Sequence, residues 1–371
     1  MKILLFTLEY PPFFGGVANV YGNLAKYWPA DSGDEIFILD NREGRLIHGR
    51  WPVLKWLPAV WHLMREIRAK EIDLVMVGQI LPLGTAALAA SFFLKIPYVV
   101  FLHGMDFDFA LKTKRKRCLA EKILRKAKKI ICFNSYVRKL LLESGLEAGD
   151  LAAKSAVVSP GIETEDSQRG VAADLLAGLR GRHGLVGRPL LFSVGRLVKR
   201  KGFDRVIEAM PQIAERIPRI VYAIAGAGPD EDCLKEKISV LPVEIQARVR
   251  LVGKVSDEEK WAWLELCDVF IMPSRNIGGD YDGFGVVYLE ANIKGKPVIA
   301  GESGGVGDAV EDGVNGLLAN PEEVADIAEK VVRLFQDEFL RKRLGEEGKK
   351  RALKSFGWPG QAKKIKNKIS L

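Results

Sequence analysis

The chain has 371 residues, of which 48% are hydrophobic and 28% charged, with a formal net charge of +9. That length exceeds one ordinary core, so two domains are expected, and the apolar share supplies two buried sheets and excludes a disordered chain. No charge-free apolar run reaches the about 18 residues of a membrane-spanning helix, and the longest apolar stretch, 80–94, is interrupted by Pro82 and Gly84.

Cys118, Cys132, Cys233 and Cys267 stand far apart without a CxxC pair, and the histidines are scattered. Reduced thiols packed as small hydrophobes are expected, and no structural zinc site. The positive charge is local. Segment 112–129 holds ten basic residues (Lys112, Lys114, Arg115, Lys116, Arg117, Lys122, Arg125, Lys126, Lys128 and Lys129) against one acid, Glu121. That excess equals that of the whole chain, so the basic balance reports one patch.

The amino terminus passes directly into an apolar run, 3–7, without a small-residue cleavage site. It reads as a first strand and not as a signal peptide, which makes the expected location cytoplasmic. Short β-branched or apolar runs follow at 35–39, 74–77, 98–102, 130–133 and 156–158, with helical patterns between them. Continuous apolar strands alternating with helices predict a parallel sheet covered on both faces. A polar, glycine-rich stretch from about 163 to 188 reads as a hinge. The rhythm then restarts with strands at 189–194, 220–225, 249–252, 269–272, 297–300 and 316–319, and a helix over 203–216. The expected boundaries are 1–165 for an N-terminal domain and 186–352 for a C-terminal domain. Residues 355–371 read as a last helix returning to the N-terminal domain.

In an open parallel sheet ligands bind beyond the carboxyl ends of the strands, in the turns that lead into helices. Three such turns carry the chemistry. After the first strand comes Leu8-Glu9-Tyr10-Pro11-Pro12-Phe13-Phe14-Gly15-Gly16, and Gly15 and Gly16 at a helix start let backbone N–H groups approach an anion. After 189–194 comes Gly195-Arg196-Leu197-Val198-Lys199-Arg200-Lys201-Gly202, where Arg196 and Lys201 can both point at a diphosphate. A solvated basic loop is the alternative, and the position of the cluster at the anion-binding end of the fold weighs against it. The third turn holds Asp282 and Glu290, eight residues apart, with Gly283 and Gly285 freeing amides at a helix start. Carboxylates there can accept from sugar and ribose hydroxyls, or Asp282 caps the helix and Glu290 is solvated. Residues 301–308 form another glycine-rich turn of this kind.

Taken in order, these segments resemble the retaining glycosyltransferases of family four, which have the GT-B fold. The likeness runs through Gly15-Gly16, His103-Gly104, Ser159-Pro160-Gly161-Ile162, the 195–202 turn, Ala225-Gly226-Ala227-Gly228-Pro229, the 283–290 segment and 312–318. Segment 283–305 is similar to the phosphatidylinositol mannosyltransferases within that family. The resemblance implies an α/β protein of two Rossmann-like domains whose parallel sheets face a central cleft. It implies a donor pyrophosphate held by Arg196 and Lys201, with backbone amides at Gly15, Gly16, Phe284 and Gly285. It places Glu290 on the donor ribose, the nucleobase beside Gly253, Lys254 and Val255, and Asp282 on hydroxyls of the transferred sugar. His103 is implied at the reacting sugar, with a packed histidine capping the strand end as the alternative, so the catalytic set reads His103, Arg196, Lys201 and Asp282; Asp106, two residues beyond Gly104, is a candidate acceptor contact by position alone. The family carries Glu where this chain has Asp282, one methylene shorter, which bears on donor-sugar selectivity.

The implied reaction is a hexosyl transfer from a nucleotide-sugar, GDP-mannose first and UDP-sugars second, to a lipid or glycan hydroxyl. It needs no metal, because arginine and lysine neutralise the leaving diphosphate. Alternatives are a UDP-sugar enzyme with a soluble acceptor, a phosphorylase-like or sucrose-synthase-like transferase, and a nucleic-acid-binding protein using 112–129. That patch lacks the interleaved aromatics that stack on bases, so no nucleic acid is expected. An anionic membrane surface is the expected partner of the patch; a solubilising face is the alternative, and the near absence of acids weighs against it. Leu119, Ala120, Ile123, Leu124 and Ala127 recur at helical spacing as an inward face, leaving the basic residues outward to dock by charge and not by deep insertion. Trp51, Trp56 and Trp61 recur in a nearby helical pattern and are expected chiefly in the core, with an interfacial anchor as the alternative.

Overall fold

The computed structural model describes residues 1–13, 15–47, 56–164 and 170–370. Phe14 of the first turn and Trp51 lie outside the described residues. The chain divides into two compact units, one of residues 1–161 and 358–371 and one of residues 162–357.

The first unit is built on a six-stranded parallel sheet. Its strands are β1 (Lys2–Phe6), β2 (Glu35–Leu39), β3 (Leu74–Val77), β4 (Tyr98–Leu102), β5 (Lys129–Cys132) and β6 (Ser155–Val157), in the order β2-β1-β3-β4-β5-β6. β1 and β4 read as unbroken apolar runs because both faces of each are covered. Leu4, Phe6, Val75 and Val100 face a core shared with helices Leu57–Lys70, Leu83–Leu94 and Lys114–Lys126. Ile3, Leu5, Met76 and Phe101 face the other way, onto helix Gly16–Lys26 and the closing helix Trp358–Ser370, which contributes Trp358, Ala362, Ile365 and Ile369. Gly161 is fixed by that closing helix, since a Cβ there would lie 2.6 Å from the Trp358 indole.

The second unit repeats the plan. Its strands are β7 (Leu190–Val194), β8 (Val221–Ala225), β9 (Val249–Gly253), β10 (Val269–Met272), β11 (Val298–Gly301) and β12 (Gly316–Ala319), in the order β12-β11-β10-β7-β8-β9, all parallel. From β7 the chain winds outward through β8 and β9, then returns to the other side of β7 with β10. The switch point therefore lies between β7 and β10, where an open α/β sheet offers its crevice. The stretch read as a hinge is different in the structure: Ala173–Arg182 is a helix of this unit, anchored through Leu179 in its core. Its glycines and arginines hid a short helix that buries little.

Candidate functional site

Five turns at the carboxyl edge of the second sheet are held together by backbone, and glycine is what permits it. Gly195 N–H donates to Ala225 O at 3.0 Å, Gly226 N–H to Gly253 O at 2.8 Å and Leu197 N–H to Ala227 O at 3.0 Å. Gly226 has φ 141° and would put a Cβ 1.9 Å from Gly195 O, while Gly202, at φ 75°, would put one 2.2 Å from Pro273 O. On the β10 side Arg275 N–H donates to Arg200 O at 2.8 Å, and Gly305 N–H to Asp282 O at 3.2 Å. The turns after β7, β8, β9, β10 and β11 thus form one backbone-linked platform at the switch point.

The central charge on this platform is Asp282, 6% exposed. One of its oxygens takes the Lys201 ammonium at 2.8 Å and the Ser274 hydroxyl at 2.5 Å, and the other takes Arg200 Nε at 3.2 Å. Arg200 also reaches Asp280, at 3.4 Å. Burial pushes the Asp282 carboxyl up, but the Lys201 charge, the two hydrogen bonds and Arg200 together hold it below the usual carboxylate range. Asp282 does not cap the following helix, whose N-cap is Gly285 in the left-handed region without a side-chain cap. The cap alternative fails because the carboxylate is turned to the β7 turn instead.

The other residues of the expected donor site fall into distinct environments. Arg196 is exposed, and among the described residues it has no ion-pair or hydrogen-bond partner. Its guanidinium is therefore ready for an anion, whereas the Lys201 ammonium is already engaged. Glu290 is not solvated; Lys260 holds it at 2.9 Å, both side chains about one-fifth exposed. Lys260 belongs to helix Asp257–Leu266, which starts at a Ser256–Glu259 capping box directly after Lys254 and Val255. Lys254 is exposed and Val255 half-buried beside that helix start. Phe284 is buried, its ring 5.7 Å from that of Phe356, so its side chain is structural and only its backbone is available to a ligand.

Gly15, Gly16 and His103 lie in the first unit, at the carboxyl ends of β1 and β4. Among the described residues nothing lies within 4 Å of a Cβ built at Gly16, and a Cβ at Gly15 would sit 3.3 Å from Glu9 Oε2. His103 Nε2 lies 2.7 Å from the Tyr21 hydroxyl, which donates its one hydrogen to Gly78 O at 2.6 Å. The Tyr21 oxygen then accepts from Nε2–H, which leaves Nδ1 with the lone pair in the neutral ring. Burial lowers the His103 pKa, opposed by the Asp106 carboxylate, so the neutral form is favoured at pH 7. Asp106 has a local task that the sequence did not show: one of its oxygens accepts from the His103 and Gly104 amides at 2.9 and 3.0 Å and shapes the turn. Glu9, half-buried with its carboxyl pushed up by burial, is a further ionisable group of this turn.

The basic segment forms helix Lys114–Lys126, capped by Thr113 Oγ1 on Lys116 N–H at 3.3 Å. Ala120, Ile123, Leu124 and Ala127 are buried; Leu119 is half-buried. Part of its charge is consumed internally. Arg117 donates to Ser144 O, Arg125 pairs with Glu121 at 2.7 Å, Lys128 donates to Ile369 O at 3.1 Å and Lys116 sits 3.3 Å over the Phe109 ring. Lys112, Lys114, Arg115, Lys122 and Lys126 remain exposed. Trp61, expected in the core, is 59% exposed instead, because it lies on the outer face of its helix.

Sequence reasoning did not single out Arg200 and Ser274 as partners of Asp282, or Lys260 as the partner of Glu290. Ser274 carried a positional signal, two residues past the end of β10, and Arg200 lay inside a turn already singled out. Nothing local marks Lys260.

Two family models cover consecutive parts of the chain, Glycosyltransferase Family 4 over residues 14–166 and Glycosyl transferases group 1 over residues 179–351. A GDP-mannose-dependent alpha-(1-6)-phosphatidylinositol monomannoside mannosyltransferase of Mycobacterium tuberculosis is 28% identical, across 98% of this chain and 97% of that protein. A GDP-mannose-dependent monoacylated alpha-(1-6)-phosphatidylinositol monomannoside mannosyltransferase of Corynebacterium glutamicum is 27% identical, across 99% of this chain and 97% of its own length. Among solved structures, Anabaena Alr3699/HepE in complex with UDP superposes with a TM-score of 0.80 at 21% identity, each chain covered in full, which speaks to the fold. With two Rossmann-like units, a backbone-linked platform of turns at the switch point of the second and family models spanning both, the chain is a glycosyltransferase of GT-B fold and belongs to family four.

Proposed function

We propose that the enzyme transfers mannose from GDP-mannose, with retention at the anomeric carbon, to a hydroxyl of a lipid or lipid-linked glycan. The observation that carries this reading is the pair of cations on the β7 turn, exposed Arg196 and Asp282-bound Lys201, at the switch point where the fold receives anions. Two full-length relatives named for GDP-mannose support the donor. In the transfer, the acceptor oxygen bonds to the sugar carbon as the carbon–phosphate oxygen bond breaks. The departing diphosphate takes the acceptor proton. Arg196 and Lys201 stabilise the charge that develops on the diphosphate, Glu290 holds the ribose, and Gly15, Gly16, Phe284 and Gly285 offer amides. Lys254 and Val255 flank the base, and His103 and Asp282 contact the sugar. Cations on the protein fill the role a divalent metal would play, so the reaction is metal-independent. A competing reading is a UDP-sugar donor with a soluble acceptor.

Titration calorimetry with GDP and UDP tests the donor. Preference for GDP, weakened in Arg196→Ala and Lys201→Ala, supports the reading, and unchanged affinity in both variants removes the assigned site. The exposed Lys112, Lys114, Arg115, Lys122 and Lys126 give the first unit a charge suited to an anionic lipid surface, where each contributes roughly 1 kcal/mol. The enzyme would then work as a peripheral protein on the cytoplasmic membrane face.

A further inference from the structure

The face of the first unit that carries the basic helix also exposes aromatic side chains that the donor site does not use. Helix Leu83–Leu94 contains no charged residue. Leu83, Ala86, Ala87 and Ala90 are buried, and the helix lies so close to its basic neighbour that a Cβ at Gly84 would be 3.0 Å from Ile123 Cγ2. Its last turn is different. Phe92 is 81% exposed and Phe93 69%, with their rings edge to face at 5.7 Å. Two adjacent phenylalanines at that exposure leave apolar area in water that folding ordinarily removes, which marks an interaction surface. Beside them runs an apolar groove of about 500 Å³, walled by Trp56, Leu88, Phe92 and Phe93 and rimmed by Lys122 and Lys126. Lys122 and Lys126, four residues apart, share one helix face and lie on the same side as the aromatic turn. No acidic residue lines the groove among the described residues. On the adjoining helix Leu57–Lys70, Trp61 is exposed with Arg65 and Arg68.

We infer that this face is a bilayer-insertion wedge: Phe92 and Phe93 enter the acyl boundary of an anionic leaflet while Lys122 and Lys126 pair with lipid phosphates. The inference rests on the membrane docking proposed above and changes its nature, from attraction by charge alone to charge combined with apolar insertion. The charge pattern selects the occupant. A rim that is basic without acids complements an anionic surface, and lysine stems can lie along the aromatic rings while their ammonium groups stay at headgroup level. Neither signal holds a protein firmly by itself, whereas two together do.

The test is co-sedimentation of the full chain with phosphatidylcholine vesicles, with and without phosphatidylglycerol, at low and high salt. Wild type should bind the anionic vesicles at low salt and keep a measurable part of that binding at high salt. Phe92→Ser/Phe93→Ser should bind at least about tenfold more weakly at low salt and lose the salt-resistant part, whereas Lys122→Ser/Lys126→Ser should weaken only the salt-sensitive part. Vesicles with brominated acyl chains should quench part of the tryptophan emission of wild type and not that of the Phe variant. Wild-type-like binding by the Phe variant, no salt-resistant binding by wild type, or no quenching would each overturn the wedge; wild-type-like binding also points to a protein partner for the aromatics. GDP affinity of the Phe variant should match wild type, which shows the chain folded. Loss of GDP binding by wild type itself would sink the donor reading and leave the vesicle result standing.

Discussion

Replacing Asp282 with Asn removes the carboxylate that neutralises Lys201 and shares Arg200. The residue is 6% exposed, Lys201 lies at 2.8 Å and its side chain is 15% exposed. Breaking a buried pair by removing one partner costs about 3–5 kcal/mol, because the other charge stays behind. Here the lower end applies: Arg200 keeps Asp280 at 3.4 Å, and the amide still accepts from one donor. In a unit of this size about 3 kcal/mol lowers Tm by about 6–12 °C. The pH dependence follows from the carboxyl being held low. Its stabilisation is complete above the unfolded carboxylate pKa of about 4 and is lost as pH falls through the lower folded value. Calorimetric melting of wild type and Asp282→Asn should therefore show a constant deficit from pH 7 to 5 that shrinks in stronger acid. GDP should raise the Tm of the variant more than that of wild type, because its diphosphate replaces the missing anion beside Lys201. A variant that melts with wild type at pH 7, or a deficit that grows in acid, would refute the electrostatic reasoning.

Arg196→Ala should leave Tm unchanged, since the side chain is exposed, yet weaken GDP binding by about 1.5–3 kcal/mol, read by calorimetry. Gly226→Ala should destabilise the second unit severely, because φ 141° and a 1.9 Å approach to Gly195 O leave no room for a Cβ; soluble, wild-type-like melting would contradict that packing. Sugar transfer should survive exhaustive treatment with EDTA, and an absolute need for Mg²⁺ or Mn²⁺ would show that Arg196 and Lys201 do not suffice as the counter-charge.

The strands were legible because a parallel strand covered on both faces announces itself as an apolar run; 98–102 and 269–272 match β4 and β10 residue for residue. The basic turn after β7 was legible for a related reason, since its charges follow a strand end in sequence. What stayed hidden depends on partners brought in from afar. Lys201 and Asp282 are 81 positions apart and Lys260 and Glu290 are 30 apart, so no local pattern shows that both carboxylates are already engaged. Phe92 and Phe93 hid for the opposite reason: inside the apolar stretch 80–94 periodicity has no polar side to measure against, so an exposed end reads like a buried one. Arg117 and Arg125 looked like free surface charge and are instead spent on carbonyls of the same unit.

Use of GDP-mannose through the cations of the β7 turn is open to direct assay. The most direct measurement is nucleotide release by the purified enzyme from GDP-mannose and from UDP-sugars, with membrane lipid extract as acceptor, wild type beside Arg196→Ala and Lys201→Ala. Lipid-dependent release of GDP from GDP-mannose is expected, far slower in both variants, with little UDP. Faster release of UDP, or variants as fast as wild type, would contradict it.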